Sequence, residues 1–203
     1  MRSEETQFEL EARFIYAAIV AGKSSVFANN CMRKWIEANV GPDETPISAA
    51  KRLEAEGRLE ESFRGARTGN YGKIATVVRT LLGSSIDLAT ATPQQLEAIP
   101  GIGPKTARFF VVWTRPDEKY AVLDVHVLRW MAARGHNVPG HTPDRKRYAK
   151  IEQEFLAEAT RLGKTPRELD FEIWDAGATA RNTTGTENFV QARKDVLSGN
   201  KRG

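Results

Sequence analysis

Two residues in the middle of the chain have side chains suited to covalent chemistry. Lys105 follows a glycine-rich turn, and Asp124 comes 19 residues later, where a new helix is expected to start. A lysine amine can attack an electrophilic carbon when its neutral form is favoured, which partial burial and a nearby helix N-terminus both promote. A carboxylate beside the reacting carbon stabilises positive charge and can orient or deprotonate a nucleophile. The pair therefore predicts a site that forms a covalent intermediate.

Each member of the pair also has a simpler interpretation. Lys105 on its own could be a phosphate contact, and an aspartate at a helix start is most often an N-cap. We favour the catalytic interpretation because the two occur together, with His126 and Arg129 following closely. We predict that His126 orders the site by hydrogen bonding rather than by carrying a proton. Arg129 could be a phosphate contact or an ion-pair partner.

The element that must position Lys105 is a glycine-rich turn between two helices. Ile99–Ala107 reads I-P-G-I-G-P-K-T-A, and Thr92–Gln95 before it is a capping box with proline at the first helical position. Gly101 and Gly103 can adopt the backbone angles of a tight turn, and Pro104 fits the first position of the second helix. These features predict a helix, a hairpin and a helix over residues 93–113.

Backbone N–H groups of such a hairpin face solvent, where they can hold a phosphate. The element resembles a helix-hairpin-helix, which holds the DNA backbone without reading its sequence. The predicted DNA-binding residues are Gly101, Ile102, Gly103 and Thr106, with Arg129 as a further phosphate contact. A hairpin of this kind does not define a reaction, because enzymes and non-catalytic binding modules both use it.

The remaining segments have helical periodicity, and none alternates apolar and polar residues as a half-buried strand would. Further helices are predicted near residues 8–20, 26–38, 46–56, 60–64, 71–82, 125–133, 143–162, 166–178 and 189–197. Asp175, on an otherwise apolar helix, is predicted to be a buried polar group. The predicted fold is all-α with two helical lobes. Residues 23–127 form the lobe with the hairpin, and residues 1–22 with 128–203 form the other.

Composition fits a nucleic-acid partner without requiring one. The 203 residues carry a net charge of +4, and the isoelectric point is near 9.3. Cys31 is the single cysteine, which excludes internal disulfides and a cysteine-held cluster. No segment resembles a signal peptide or a membrane span, so we expect an intracellular protein without a membrane partner.

The two motifs together resemble a known superfamily. Ile99–Ala107 and Val122–Arg129 are similar to the L-P-G-[VI]-G-x-K-T-A and V-D-x-H-[VI]-x-R patterns of the helix-hairpin-helix–Gly/Pro–Asp (HhH-GPD) DNA glycosylases, most of all the endonuclease III-like branch. Ile99 and Leu123 replace the usual Leu and Val. Residues 67–75 and 173–178 extend the resemblance over much of the chain.

Two departures from the superfamily pattern affect these expectations. The iron–sulfur cysteines of many relatives are absent, and residues 179–185 stand in their place, so the resemblance implies a cluster-free member with no cofactor. The glutamine that many relatives insert into the base stack is also absent from residues 20–25. Lys23, Asn29 and Asn30 are the alternatives for filling the gap left by a flipped base.

The resemblance implies a monomeric DNA glycosylase that acts on double-stranded DNA containing a damaged or modified base. Lys105 would be the nucleophile and Asp124 the stabilising carboxylate, and β-elimination would nick the strand. A lysine at this position fits an oxidised base. Hairpin carbonyls near Ile99 and Ile102 could hold Na⁺ or K⁺. The alternatives are a non-catalytic DNA-binding protein and a base-modifying transferase on the same scaffold.

Overall fold

The computed structural model describes residues 4–178, which form ten α-helices joined by turns and loops. No strand occurs among these residues, and the predicted all-α fold is confirmed. In chain order the helices are α1 Glu4–Val20, α2 Ser25–Asn39, α3 Pro46–Ala55, α4 Leu59–Gly65, α5 Tyr71–Leu82, α6 Pro93–Glu97, α7 Pro104–Thr114, α8 Val125–Ala132, α9 Arg145–Arg161 and α10 Pro166–Ala178.

Capping side chains decide where several helices start. The Ser24 hydroxyl accepts the Phe27 N–H at the start of α2, and the Asp144 carboxylate accepts the Arg147 N–H at the start of α9. The predicted starts agree closely with the observed ones except for α1, which begins at Glu4 rather than near residue 8. The helix predicted over residues 189–197 lies outside the described residues.

Contacts divide the described chain into two compact units, of which the first contains residues 4–91 and 98–102. Its central element is α1, which is buried along most of its length and packs against α2, α3 and α5. Trp35 of α2 stacks on Phe63 of α4 with ring centroids 5.3 Å apart, and its Nε1 donates to Ser62 Oγ. This core fixes the helices around the hairpin turn.

The second unit contains residues 92–97 and 103–178. Helix α6 packs on α7, and α10 packs on both α8 and α9. Its core combines the segment before α8 with apolar positions of three helices: Ala121, Leu123, Val127, Leu128, Met131, Tyr148, Ile151, Phe155, Ala159, Leu169 and Ile173. This core sets the positions of the start of α8 and of α10.

The division into units differs from the predicted lobes. The prediction grouped residues 1–22 with the C-terminal helices, whereas α1 belongs with α2–α5. Phe8, Phe14, Ile15 and Ile19 are all almost fully buried, so α1 needs neighbours on several sides, and α2, α3 and α5 provide them. No helix of the described part is long and apolar enough to cross a bilayer.

Candidate active site

The tightest point of the hairpin is Gly101, whose φ of +101° is one that L residues rarely adopt. A Cβ atom there would lie 2.9 Å from Val77 Cγ2 and 3.4 Å from Lys73 Cε, so space as well as conformation requires glycine. The Ile102 N–H donates to the Ile99 carbonyl at 3.0 Å and closes the turn. Lys73 therefore lies beside the turn, a basic neighbour that the sequence pattern does not indicate.

Helix α7 begins directly after the turn with an exposed set of backbone donors. Gly103 is its N-cap, Pro104 its first residue and Lys105 its second. No side chain caps this helix start, and the N–H groups of Lys105 and Thr106 make no hydrogen bond with the described residues. They are available to a phosphate, where the helix dipole favours negative charge.

Gly103 corrects one detail of the predicted hairpin. Its φ of −98° is open to any residue, so the turn does not require glycine at this position. A Cβ atom there would meet nothing within 4 Å. The absent side chain instead leaves open space beside the backbone donors of α7.

Asp124 is the N-cap of α8 and is held by two backbone donors. Its Oδ1 accepts the His126 N–H at 2.8 Å and the Val127 N–H at 2.9 Å. Its Oδ2 has no hydrogen bond within the described residues. The positive end of the helix dipole stabilises the carboxylate anion. The N-cap and catalytic interpretations are therefore compatible, because one oxygen caps the helix and the other is available.

A third titratable group, Asp170 of α10, is affected by the charges of both Lys105 and Asp124. Asp170 interacts electrostatically with both residues, and all three belong to the second unit. Burial, and next the negative charge of Asp124, raise the pKa of Asp170 to about 7, although the positive charge of Lys105 acts in the opposite direction. The Lys105 ammonium forms no ion pair with either carboxyl group, since each nitrogen–oxygen distance is longer than 4.0 Å.

The predicted burial of Asp175 on α10 is wrong. Asp175, expected to be buried, is exposed, whereas Asp170 is partly buried. Leu169 and Ile173 are buried one turn apart and define the core side of the helix. Asp170 directly follows Leu169 and lies at the edge of this side. The spacing of Leu169 and Ile173 in the sequence is the signal that could have identified Asp170.

A buried polar network connects the helix of Lys105 to the segment that leads into Asp124. Arg108, one turn after Lys105, donates from Nε to Glu152 Oε1 at 2.8 Å. The same Glu152 oxygen accepts the Ala121 N–H at 3.0 Å. Burial disfavours the charged guanidinium, but hydrogen bonds to Glu152 and Glu97 oppose this, and the pKa of Arg108 is raised. The buried Arg108 guanidinium therefore stays charged.

Tyr148 completes the network. Its hydroxyl donates to the Ala121 carbonyl at 2.8 Å and accepts the Leu123 N–H at 2.9 Å. Its ring lies beneath the Arg108 guanidinium, 4.6 Å from ring centroid to Cζ. Residues 121–123 are thus fixed immediately before Asp124 and tied to α7, which carries Lys105.

The other predicted site residues have simpler surroundings. The imidazole of His126 makes no hydrogen bond with the described residues, so its ordering contact is its backbone N–H to Asp124. Arg129 is exposed and forms no ion pair with them, which favours the phosphate contact. Of the alternatives for filling the base stack, Asn29 is buried, Asn30 is exposed, and the Lys23 ammonium donates to the Ile19 carbonyl at 2.9 Å.

Metal-binding side chains are not clustered in the described part of the chain. No group of three or more His, Cys, Asp or Glu residues there is arranged to hold a metal ion. The Ile99 carbonyl already accepts one hydrogen bond in the turn, and a carbonyl oxygen has a second lone pair for a cation. The monovalent cation at the hairpin stays a prediction. Residues 179–185, which replace the cluster cysteines, lie outside the described residues.

Comparison with known proteins identifies first the motif and then the fold. The family model of the helix-hairpin-helix motif matches residues 84–108, which include α6, the turn and the first residues of α7. The motif predicted from the glycine and proline spacing is confirmed.

The fold is similar to the crystal structure of the 8-oxoguanine DNA glycosylase of Thermotoga maritima. The TM-score is 0.62 and the sequences are 24% identical, with 90% of this chain and 85% of that chain covered. The chain therefore has the all-α fold of this glycosylase, as predicted from the two sequence motifs.

Proposed function

We propose that this protein is a DNA glycosylase with AP lyase activity that excises an oxidised base from double-stranded DNA. One observation carries the proposal: the fold is similar to that of a DNA glycosylase, and its helix-hairpin-helix leads directly into the helix that bears Lys105. The unpaired donors at the start of α7 add a phosphate-binding element next to the nucleophile.

The proposed reaction begins with a nucleotide turned out of the duplex. Neutral Lys105 attacks C1′ through its Nζ, and the bond between C1′ and the base nitrogen breaks, with the bonding electrons leaving on the base. Opening of the sugar ring gives a Schiff base between C1′ and Nζ. Loss of a C2′ proton then breaks the C3′–O bond and releases the 3′ phosphate, which nicks the strand.

Asp124 serves this reaction as a fixed anion. The sugar becomes cationic as the base departs, and a preorganised carboxylate stabilises that charge without reorganising. The two backbone hydrogen bonds to Oδ1 hold the group in place. Electrostatic stabilisation therefore contributes at least as much as proton abstraction.

The substrate class follows from the lysine and from the similar structure. A lysine nucleophile fits oxidised pyrimidines or 8-oxoguanine, and the glycosylase of similar fold is named for 8-oxoguanine. We place 8-oxoguanine first among the substrates. The reaction needs no iron–sulfur cluster or organic cofactor, and Na⁺ or K⁺ on the carbonyls of Ile99 and Ile102 would help the hairpin hold a phosphate. The protein acts as an intracellular monomer.

Borohydride trapping tests the proposal. Duplexes carrying 8-oxoguanine, thymine glycol, uracil or an abasic site are incubated with the protein and sodium borohydride, which reduces a Schiff base to a stable covalent complex. We expect trapping by the wild type and none by Lys105→Gln. Lys150→Gln, which changes an exposed lysine of α9, is the matched control. Undiminished trapping by Lys105→Gln would assign the nucleophile elsewhere.

Asp124→Asn separates catalysis from folding. An asparagine retains a capping oxygen, so the start of α8 should persist while the charge is lost. We expect unchanged DNA affinity and a loss of base excision, and wild-type excision by this variant would refute the role of Asp124. Salt-sensitive DNA binding by the wild type without excision of any of these bases would favour a non-catalytic module. Transfer of a group to an intact base would favour a transferase.

A further inference from the structure

The turn of the hairpin lies against one face of α5, and this contact places a lysine beside it. A Cβ atom on Gly101 would lie 2.9 Å from Val77 Cγ2, 3.5 Å from Lys73 Cγ and 3.4 Å from Lys73 Cε. Lys73 and Val77 are four residues apart and therefore share a face of α5. Val77 is buried, whereas Lys73 is exposed. The turn thus packs on an apolar side chain and is bordered by a cationic one.

The Lys73 side chain runs along the turn rather than away from it, since both its Cγ and its Cε atoms are close to the open side of Gly101. A lysine in this arrangement packs its methylene stem on the protein and keeps its charged end in water. The ammonium group is one bond beyond Cε, and it forms no hydrogen bond and no ion pair with the described residues. It is therefore a cation that is held beside the turn and is available to a ligand.

The turn itself supplies a hydrogen-bond donor next to this cation. The Ile102 N–H donates to the Ile99 carbonyl inside the turn, whereas the Gly101 N–H makes no hydrogen bond with the described residues. Gly101 is exposed and has no side chain to cover its backbone. An exposed N–H beside an ammonium group suits a phosphate, because phosphate oxygens accept hydrogen bonds from both kinds of donor.

A second lysine adds positive charge in the same unit. The Lys23 Cε atom would lie 3.5 Å from a Cβ atom on Gly69, which precedes Lys73 by four residues. Burial lowers the pKa of Lys23, and the charge of Lys73 also lowers it, with Cys31 acting in the opposite direction. The Lys23 ammonium already donates to the Ile19 carbonyl at 2.9 Å, so Lys73 is the lysine of this pair that can bind a ligand directly. An anion held by Lys73 would also relieve the repulsion between the two cations.

We propose that the Lys73 ammonium and the Gly101 N–H together bind one phosphate of the DNA backbone at the turn of the hairpin. The helix-hairpin-helix match covers residues 84–108, so it includes Gly101 and leaves Lys73 outside the motif. The inference therefore gives α5 a part in DNA binding. It rests on the DNA partner of the proposed function and is independent of the base-excision chemistry.

Binding to an undamaged duplex tests this contact without requiring base excision. Dissociation constants for a fluorescently labelled duplex are measured by anisotropy over a series of NaCl concentrations for the wild type, Lys73→Met, Lys73→Arg and Lys51→Met. Methionine keeps the unbranched stem beside the turn and removes the charge, whereas arginine keeps the charge. Lys51, an exposed lysine of α3 in the same unit, is the matched control. Melting temperatures show whether each variant is folded.

Lys73→Met should bind the duplex roughly 10-fold more weakly than the wild type at low salt, because a charge-assisted hydrogen bond is lost. The slope of log affinity against log salt concentration should become shallower by about 0.9, the change expected for one phosphate contact fewer. Lys73→Arg should keep the wild-type slope, since a guanidinium also binds phosphate. Lys51→Met should match the wild type in affinity and in slope.

The outcomes separate this inference from the proposed function. A wild-type affinity and slope for Lys73→Met would overturn the phosphate contact, whatever the result of borohydride trapping. Equal losses in Lys73→Met and Lys51→Met would also overturn it, because they would reflect net charge rather than a site. If the wild type traps no damaged duplex, the proposed function fails, but a loss confined to Lys73→Met would still support the contact. Should Lys73→Met not fold, a wild-type slope for folded Lys73→Gln would refute the inference.

Discussion

Replacing Tyr148 by phenylalanine would remove a single oxygen atom from the core of the second unit. That oxygen donates to the Ala121 carbonyl and accepts the Leu123 N–H, and the side chain is fully buried. Burial also raises the pKa of Tyr148, so the hydroxyl stays protonated and remains a donor. The substitution leaves the ring packing intact and deprives two buried backbone groups of their partner.

The loss of stability caused by Tyr148→Phe can be derived from these two hydrogen bonds. A buried polar group that loses its hydrogen bond lowers the free energy of unfolding by roughly 1–3 kcal/mol. The two groups are neighbours, so their effects do not add fully, and we expect a total loss of about 2–4 kcal/mol. For a chain of this size such a loss lowers Tm by about 5–15 °C. Because residues 121–123 lead into Asp124, the single-turnover excision rate should also fall, while DNA affinity should not change.

Thermal unfolding and single-turnover kinetics check both parts. Tyr71→Phe is the matched control, since the Tyr71 hydroxyl makes no hydrogen bond with the described residues and the Arg64 contact needs only the ring. Equal melting temperatures for wild type and Tyr148→Phe would refute the stability argument. A lower Tm with an unchanged excision rate would show that the network stabilises the unit without positioning Asp124.

Two further predictions concern the hairpin and Asp170. Gly101→Ala should destabilise the protein by roughly 1–3 kcal/mol and weaken DNA binding, because the positive φ and the Val77 side chain both oppose a Cβ atom. Gly103→Ala should change the stability by no more than about 0.5 kcal/mol. Equal urea midpoints for the two variants would contradict this expectation. The folded-state pKa of Asp170 lies above its unfolded value near ~3.9, so the wild type loses stability as the pH rises from about 4 to 7. The loss is at most ~4 kcal/mol, and solvent screening makes it smaller. Asp170→Asn should lack that loss, and a stability difference between the two proteins that is the same at pH 5 and pH 8 would show that the carboxyl group is not perturbed.

Local sequence rules predicted much of the helical structure because the signals lie close together along the chain. The helix over residues 71–82 has the predicted limits, and the capping box with its proline places α6. These elements depend on neighbouring side chains and backbone groups, which the sequence displays directly. The placement of α1 could not be predicted in this way, since its burial depends on α2, α3 and α5.

The sequence by itself determined the helix-hairpin-helix, because turn chemistry and spacing are properties of short segments. Tertiary structure decided which aspartate of α10 is partly buried and which is exposed. Asp170 and Asp175 lie on the same helix, and the packing of Leu169 and Ile173 against the core leaves Asp170 partly buried and Asp175 exposed. The charge environment of a carboxyl group depends on groups from distant segments, and folding alone brings those together.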